Sequence, residues 1–467
     1  MTKITLKNDI RIEHPGGQIA RALIDKYTVP NPDFYKREAM GKWTGDTPQD
    51  LALWQRDGNT LILPYGAMAD VVQAFRGQAC VFSSEASKGD TSHEYESCIS
   101  LYPYQEKAVQ AVLEAQKGIL VAPCGSGKTQ MGLELAARLG LKTLWLTHTH
   151  ELLNQSMNRA KTCFDLPEHA FGAITAGKVE IGEVITFATV QTMVKLDLSK
   201  YADTWGCVIV DECHRVAGTP TRVMQFSKVI GSLNAAYKFG LTATPKRADG
   251  LVACMYAYLG PKAYEIDRSE VKNTTCPVKY VNIETGWNCD LDEVTNTDGT
   301  LDYVKLINSI CVDSTRTKQV ARVIADICGL DNARVLVLSE RVHHLHKITE
   351  ALSYFDDTPT YKFIYGNCNK AYRDEAIMEL KAGKVQVLLA TYQLAKEGLD
   401  IPELTHLVMA SPNKTDVTIT QSAGRVARAC TGKKKGVIID FVDDFLPLRT
   451  WAAKRARIYK KLGYDPQ

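Results

Sequence analysis

Residues 122–129, Ala-Pro-Cys-Gly-Ser-Gly-Lys-Thr, limit how this chain can fold more than any other stretch. An apolar run, Gly118 to Val121, leads into them, and a helical pattern, Gln130 to Leu139, leads out. Strand, glycine-rich turn and helix in that order make a phosphate cradle. The turn's N–H groups close around anionic oxygens, and the helix N-terminus adds positive partial charge. Pro123, Cys124, Gly125, Ser126 and Gly127 supply the turn. Lys128 would reach the β- and γ-phosphates of a nucleotide, and the Thr129 hydroxyl would ligate Mg²⁺. The plain alternative is a tight glycine turn beside a surface lysine.

A second signal lies about 80 residues on. Cys207-Val-Ile-Val-Asp-Glu-Cys-His214 is an apolar strand ending in two carboxylates. Beside a phosphate loop, Asp211 can hold Mg²⁺ and Glu212 can polarise an attacking water. Neighbouring residues on a strand face opposite ways, so both can border one site only if the backbone turns at the exit. Lys238 to Pro245 is again a strand running into hydroxyls, and Thr242 and Thr244 could hydrogen-bond the acidic pair. A solvated acidic turn and an ordinary strand end are the alternatives.

Strands alternate with helical patterns through the rest of the chain, which predicts α/β domains with parallel sheets. Val335 to Leu338, Phe363 to Tyr365, Val385 to Ala390, His406 to Met409 and Gly436 to Asp440 read as strands of a second such unit. Residues 271–300, polar and weakly patterned, precede it. Val417 to Arg428 reads as a helix, and Arg425 and Arg428, three apart, would leave from one face. Two guanidinium groups suit the charge that develops on a transferred γ-phosphoryl. This unit lacks its own phosphate loop, so a nucleotide shared between two lobes accounts for both facts; a solvated arginine face is the alternative.

Residues 1–95 stand apart. Ile4 to Ile12 alternates like one short strand and Thr60 to Pro64 like another. Tyr35-Lys-Arg-Glu and Gly41-Lys-Trp43 put cations beside aromatics, which can hold phosphates and stack bases; a solvated loop with a buried Trp is an equal reading. Residues 83–95 read as a linker or exposed loop. The domains expected are 1–95 (accessory, a candidate for DNA binding), 96–270 (ATP-binding) and 271–467.

A net charge of +3 excludes a strongly basic coat but not a local basic groove. No apolar run approaches the roughly 20 residues needed to span a bilayer, and Met1 to Arg11 lacks the apolar core of a signal peptide. Thirteen cysteines without a Cys-x-x-Cys pair predict reduced thiols in a cytoplasmic protein, the host's cytoplasm if the source is viral.

With these residues named, the chain resembles the superfamily 2 helicases over about residues 100–445, with the motifs in the family's order. Leu101-Tyr-Pro-Tyr-Gln105 resembles the adenine-side motif, which implies Gln105 against the base; Tyr102 stands where related families often carry Arg. Residues 122–129 resemble motif I, 148–155 and 189–192 the motifs that hold one strand by its backbone, and 211–214 motif II. Residues 242–245 resemble motif III, 391–402 motif V and 421–428 motif VI. The resemblance implies that Gly398 and Asp400 link nucleic acid to nucleotide, and that Gln421, Arg425 and Arg428 face ATP. His214, as in DEAH-type proteins, is implied to bridge toward motif VI or to pack at its strand end. The joining segment Val312 to Arg316 and the extra N-terminal region are most similar to XPB-like and UvsW-type phage helicases.

The resemblance therefore implies α/β architecture with two tandem RecA-like parallel-sheet domains plus a small N-terminal α+β domain. It also implies an ATP- and Mg²⁺-dependent DNA helicase or translocase, monomeric and without a membrane partner. Single-stranded, forked or branched DNA would be gripped through its backbone, in replication, recombination or repair. An RNA helicase, a translocase subunit without strand separation and a nucleotide-gated clamp are the competing expectations.

Overall fold

The computed structural model describes residues 1–89, 95–123, 125–214, 220–243, 251–355, 358–396, 399 and 401–467. Its chain divides into two compact units, Met1–Asp267 and Arg268–Gln467. Among the described residues no helix is long and apolar enough to cross a membrane.

Seven short strands open the first unit: β1 (Thr2–Leu6), β2 (Asp9–Glu13), β3 (Thr28–Pro30), β4 (Asp50–Ala52), β5 (Gln55–Asp57), β6 (Thr60–Pro64) and β7 (Cys80–Ser84). Five of them form a sheet in the order β5-β6-β2-β1-β7, while β3 and β4 pair separately. The single strand expected over Ile4 to Ile12 is in fact a hairpin, with Ile4 opposite Ile12 and Leu6 opposite Ile10. Ile4, Ile10 and Ile12 are fully buried, in a core that also takes Val223, Leu251, Cys254 and Ala257 from later in the unit. The buried Trp offered for residues 41–43 is also corrected, because Trp43 is 71% exposed. Residues 83–89 are not a free linker. Ser83 and Ser84 belong to β7, and Ser87 and Gly89 form bridges to Ala235 and Trp205.

The rest of the unit is an eight-stranded sheet: β8 (Lys117–Val121), β9 (Thr143–Thr147), β10 (Phe171–Thr175), β11 (Lys178–Glu180), β12 (Ile185–Thr189), β13 (Cys207–Val210), β14 (Tyr237–Thr242) and β15 (Lys262–Glu265). The order is β11-β10-β12-β9-β13-β14-β8-β15. Among the described residues of this sheet only the β10–β11 pairing is antiparallel. Strands β9, β12 and β13 are buried along their whole length, as parallel strands covered on both faces must be.

The second unit repeats this plan with β16 (Val278–Glu284), β17 (Val335–Ser339), β18 (Tyr361–Ile364), β19 (Val387–Thr391), β20 (His406–Met409), β21 (Gly436–Val442) and β22 (Asp465–Pro466). Their order is β18-β19-β17-β20-β21-β16-β22, parallel throughout. β16 falls in the stretch that reads as weakly patterned. Two buried ion pairs hold this unit: Arg316 with Asp443 at 2.6 Å and Arg455 with Asp440 at 2.7 Å. Arg316 also donates to the Ala410 carbonyl, and Arg455 to the carbonyls of Asn413 and Phe441. Both guanidinium groups are thus matched by acceptors, as burial of a charge requires.

Candidate active site

The phosphate loop leaves β8 and enters the helix Lys128–Leu139, with Gly127 at the helix N-cap in left-handed conformation (φ 81°). A Cβ on Gly127 would lie 2.4 Å from Nε2 of Gln105, so only glycine fits. Gln105 is 2% exposed. Its Nε2 donates to the Ser126 carbonyl at 2.8 Å, and its Oε1 accepts from the Tyr102 N–H at 2.9 Å. Tyr104 donates its hydroxyl to the same Ser126 carbonyl. Residues 102–105 therefore brace the loop from behind. Cys124 lies outside the described residues.

β13 runs parallel between β9 and β14 and delivers Asp211 and Glu212 at its exit. Asp211 is buried, and its N–H is bonded to the Leu146 carbonyl of β9. Glu212 has φ 48°, a left-handed conformation unusual for a residue with a side chain. That turn breaks the strand's alternation and brings both carboxylates to one border. Lys128 Nζ, from the loop, lies 3.9 Å from Glu212 Oε1. Thr242, at the end of β14, meets the pair through His214. His214 Nδ1 is 2.9 Å from Thr242 Oγ1 and 3.3 Å from Glu212 Oε2, and the ring is 2% exposed. Thr244 lies outside the described residues. Burial pushes the Cys213 thiol well up, with the Glu212 and Asp211 charges adding to the shift.

These residues fit an anion-plus-cation ligand on the structure's own terms. The Ser126 hydroxyl is fully buried with no hydrogen-bond partner among the described residues, an expensive state unless something else fills it. Thr129, in the helix's first turn, and Asp211 offer the two oxygens that Mg²⁺ usually takes from a protein when phosphates and water complete its shell.

In the second unit, the helix Asp416–Val426 buries Gln421 and Gly424, and Arg425 Nη1 donates to the Leu399 carbonyl at 2.8 Å. The expectation that Arg425 and Arg428 share one helix face is overturned. The helix ends at Val426, Ala427 caps it, and Arg428 forms an antiparallel bridge with Thr275. The strand-like segment beside it takes over there: Thr275 pairs with Arg428, and the Cys276 N–H satisfies the Ala427 carbonyl at 2.9 Å, one of the last carbonyls that a helix leaves without a partner. Gly398 and Asp400 lie outside the described residues.

Residues 98–247 match the family described as type III restriction enzyme, res subunit. Residues 318–430 match the helicase conserved C-terminal domain. The chain is 24% identical over 375 residues to a putative ATP-dependent RNA helicase of Acanthamoeba polyphaga mimivirus, covering 79% of this chain and 69% of that one. It is 23% identical over 382 residues to the DNA 3'-5' translocase XPB2 of Sulfurisphaera tokodaii, covering 74% and 82%. In fold it is similar to the Hef helicase domain of Pyrococcus furiosus, with a TM-score of 0.53 and 16% identity over 76% of this chain and 97% of that one.

Two parallel-sheet units, the first ending its strands in a phosphate loop and an acidic pair, are the architecture of an ATP-dependent helicase or translocase. The chain belongs to the superfamily 2 helicases, a membership that implies ATP use and the binding of nucleic acid.

Proposed function

We propose that this chain is a DNA helicase or translocase that works on forked or branched DNA in replication, recombination or repair. ATP is hydrolysed with residues 96–270 supplying one side of the reaction and residues 271–467 the other; residues 1–95 act as an accessory domain. The observation that carries the reading is the meeting of Lys128 and Glu212 at the ends of β8 and β13. Lys128 binds the terminal phosphates. Glu212 orients and deprotonates the attacking water, held in place by its left-handed backbone and by His214. Mg²⁺ bound to Thr129 and Asp211 would neutralise phosphate charge. Gln421, Arg425 and Arg428 act on the γ-phosphate, while Gly398 and Asp400 relay its state to the gripped strand. Binding through the sugar–phosphate backbone carries little sequence information and weakens steeply with salt.

DNA is favoured by the name of the Sulfurisphaera translocase, most of whose length this chain spans. The mimivirus relative's name makes RNA the alternative substrate. Unwinding of forked and four-way DNA is compared with that of an RNA duplex of the same sequence. Strand separation on DNA and none on RNA is expected. Separation of RNA alone would reverse the substrate, and ATP turnover without separation of either would leave translocation only.

A further inference from the structure

Residues 433–435 are three consecutive lysines in the turn between the helix Asp416–Val426 and β21. The fold treats them unequally. Lys434 and Lys435 are exposed, whereas Lys433 turns inward. Its Nζ donates to the Pro402 carbonyl at 3.0 Å and to the Arg428 carbonyl at 2.8 Å. Pro402 closes the segment 391–402 and Arg428 closes the segment 421–428. Arg425, through Leu399, makes a second tie between the same two segments. Without the ammonium, the Arg428 backbone would keep its edge contact with Thr275 but lose its anchor to Pro402. A solvated lysine would not hold two backbone carbonyls at these lengths while half-buried beside Cys276. Burial lowers its pKa, and the neighbouring thiol works against that shift. A charge taken partly out of water persists where its hydrogen bonds repay the loss.

We infer that Lys433 is a positioning residue for ATP hydrolysis: it clamps the end of motif V to the end of motif VI and so fixes the backbone from which Arg428 projects. This rests on the reading of Arg428 as a γ-phosphate group. ATP in its ground state is held by the phosphate loop of the other unit, so loosening Arg428 should be felt in turnover rather than in binding.

The test uses the full chain with saturating single-stranded DNA. Lys433→Met keeps the length of the side chain and removes its donors; Lys433→Arg keeps donors. Lys433→Met should lower kcat by about tenfold or more with KM for ATP within about twofold, and Lys433→Arg should recover much of the loss. In an Arg428→Ala background, Lys433→Met should cost nothing further, because residues acting as one unit are not additive. Unchanged kcat in a folded Lys433→Met protein would overturn the inference, as would a full additional loss in the double variant. If Arg428→Ala alone turns over normally, the arginine reading itself fails and the inference falls with it. Thermal unfolding of each variant separates these results from failure to fold.

Discussion

Lys128 and Glu212, 84 residues apart in sequence, meet at 3.9 Å where β8 and β13 end. On the proposed reading one binds phosphate and the other takes a proton, so their separate removal should have different signatures. Glu212→Gln keeps the size and loses the base. Its turnover should fall by about 10²–10⁴, the usual worth of general-base catalysis, while a fluorescent ATP analogue still binds. Lys128→Ala should lose both hydrolysis and nucleotide affinity. Equal loss of affinity in the two variants would mean that Glu212 is only a partner for the lysine.

Arg425 and Arg428 should also part company. Arg428 follows the helix end, and its replacement by Ala should cut nucleic-acid-stimulated hydrolysis by about 10³–10⁵, the range of a lost arginine finger. Arg425 is bonded to the Leu399 carbonyl. Arg425→Ala should therefore also lower stability by about 1.5–3 kcal/mol, as for a hydrogen bond to a charged group. Denaturant titrations beside steady-state rates resolve the two effects. An Arg425→Ala protein as stable as the wild type would show that the Leu399 bond carries no weight.

Most of the parallel-sheet frame could be read from the residues. Strands buried on both faces, such as Thr143–Thr147 and Cys207–Val210, appear as unbroken apolar runs, and each motif sits where a run stops. The N-terminal hairpin was hidden by parity. Leu6 and Ile10 are an even number apart, so alternation passes unbroken through the Lys7-Asn8 turn and looks like one strand. β16 was hidden by its place in the sheet, next to the two-residue edge strand β22, where Lys279, Asn282 and Glu284 dilute the apolar pattern. The end of the motif VI helix was hidden too, because the partners that take over there, Thr275 for Arg428 and the Cys276 N–H for the Ala427 carbonyl, come from about 150 residues upstream. Nothing in the sequence sets Lys433 apart from Lys434 and Lys435; only the fold turns it to Pro402 and Arg428.

Gln105 has both ends of its amide bound to protein, one to the Ser126 carbonyl and the other to the Tyr102 N–H. Gln105→Ala removes two hydrogen bonds, one to the Ser126 carbonyl, which keeps the Tyr104 hydroxyl, and one from the Tyr102 N–H, at a cost of about 0.5–1.5 kcal/mol each. The unfolding midpoint should fall. KM should rise for ATP and GTP alike, because the loop that holds their shared phosphates loses its brace. A rise confined to ATP would instead place the side chain against the base. Gln105→Glu should be no better than Ala, since a carboxylate cannot donate to the Ser126 carbonyl.

Lys238, fully buried in β14, joins the N-terminal sheet to the sheet that carries Asp211 and Glu212. Its Nζ donates to the carbonyls of Asn8 and Ile230 and sits 4.5 Å from the centre of the Tyr65 ring. Lys117 lies against the same ring, and the Asp9 charge also reaches the ammonium. Burial lowers its pKa to about 7, against the opposing pull of Asp9. The unfolded chain holds this proton up to about pH 10.4, so between those values it binds more protons than the folded chain. Folding stability from this group must then increase with pH across the window, by at most about 1.4 kcal/mol per pH unit. Cysteines and tyrosines titrate there as well, so the quantity to follow is the difference between wild type and Lys238→Met in urea unfolding. Near pH 7 the wild type carries the full cost of a buried charge; its stability relative to the variant should climb as the pH is raised toward 10. Two curves that stay parallel from pH 7 to pH 10 would show that Lys238 keeps an ordinary proton affinity in the folded protein.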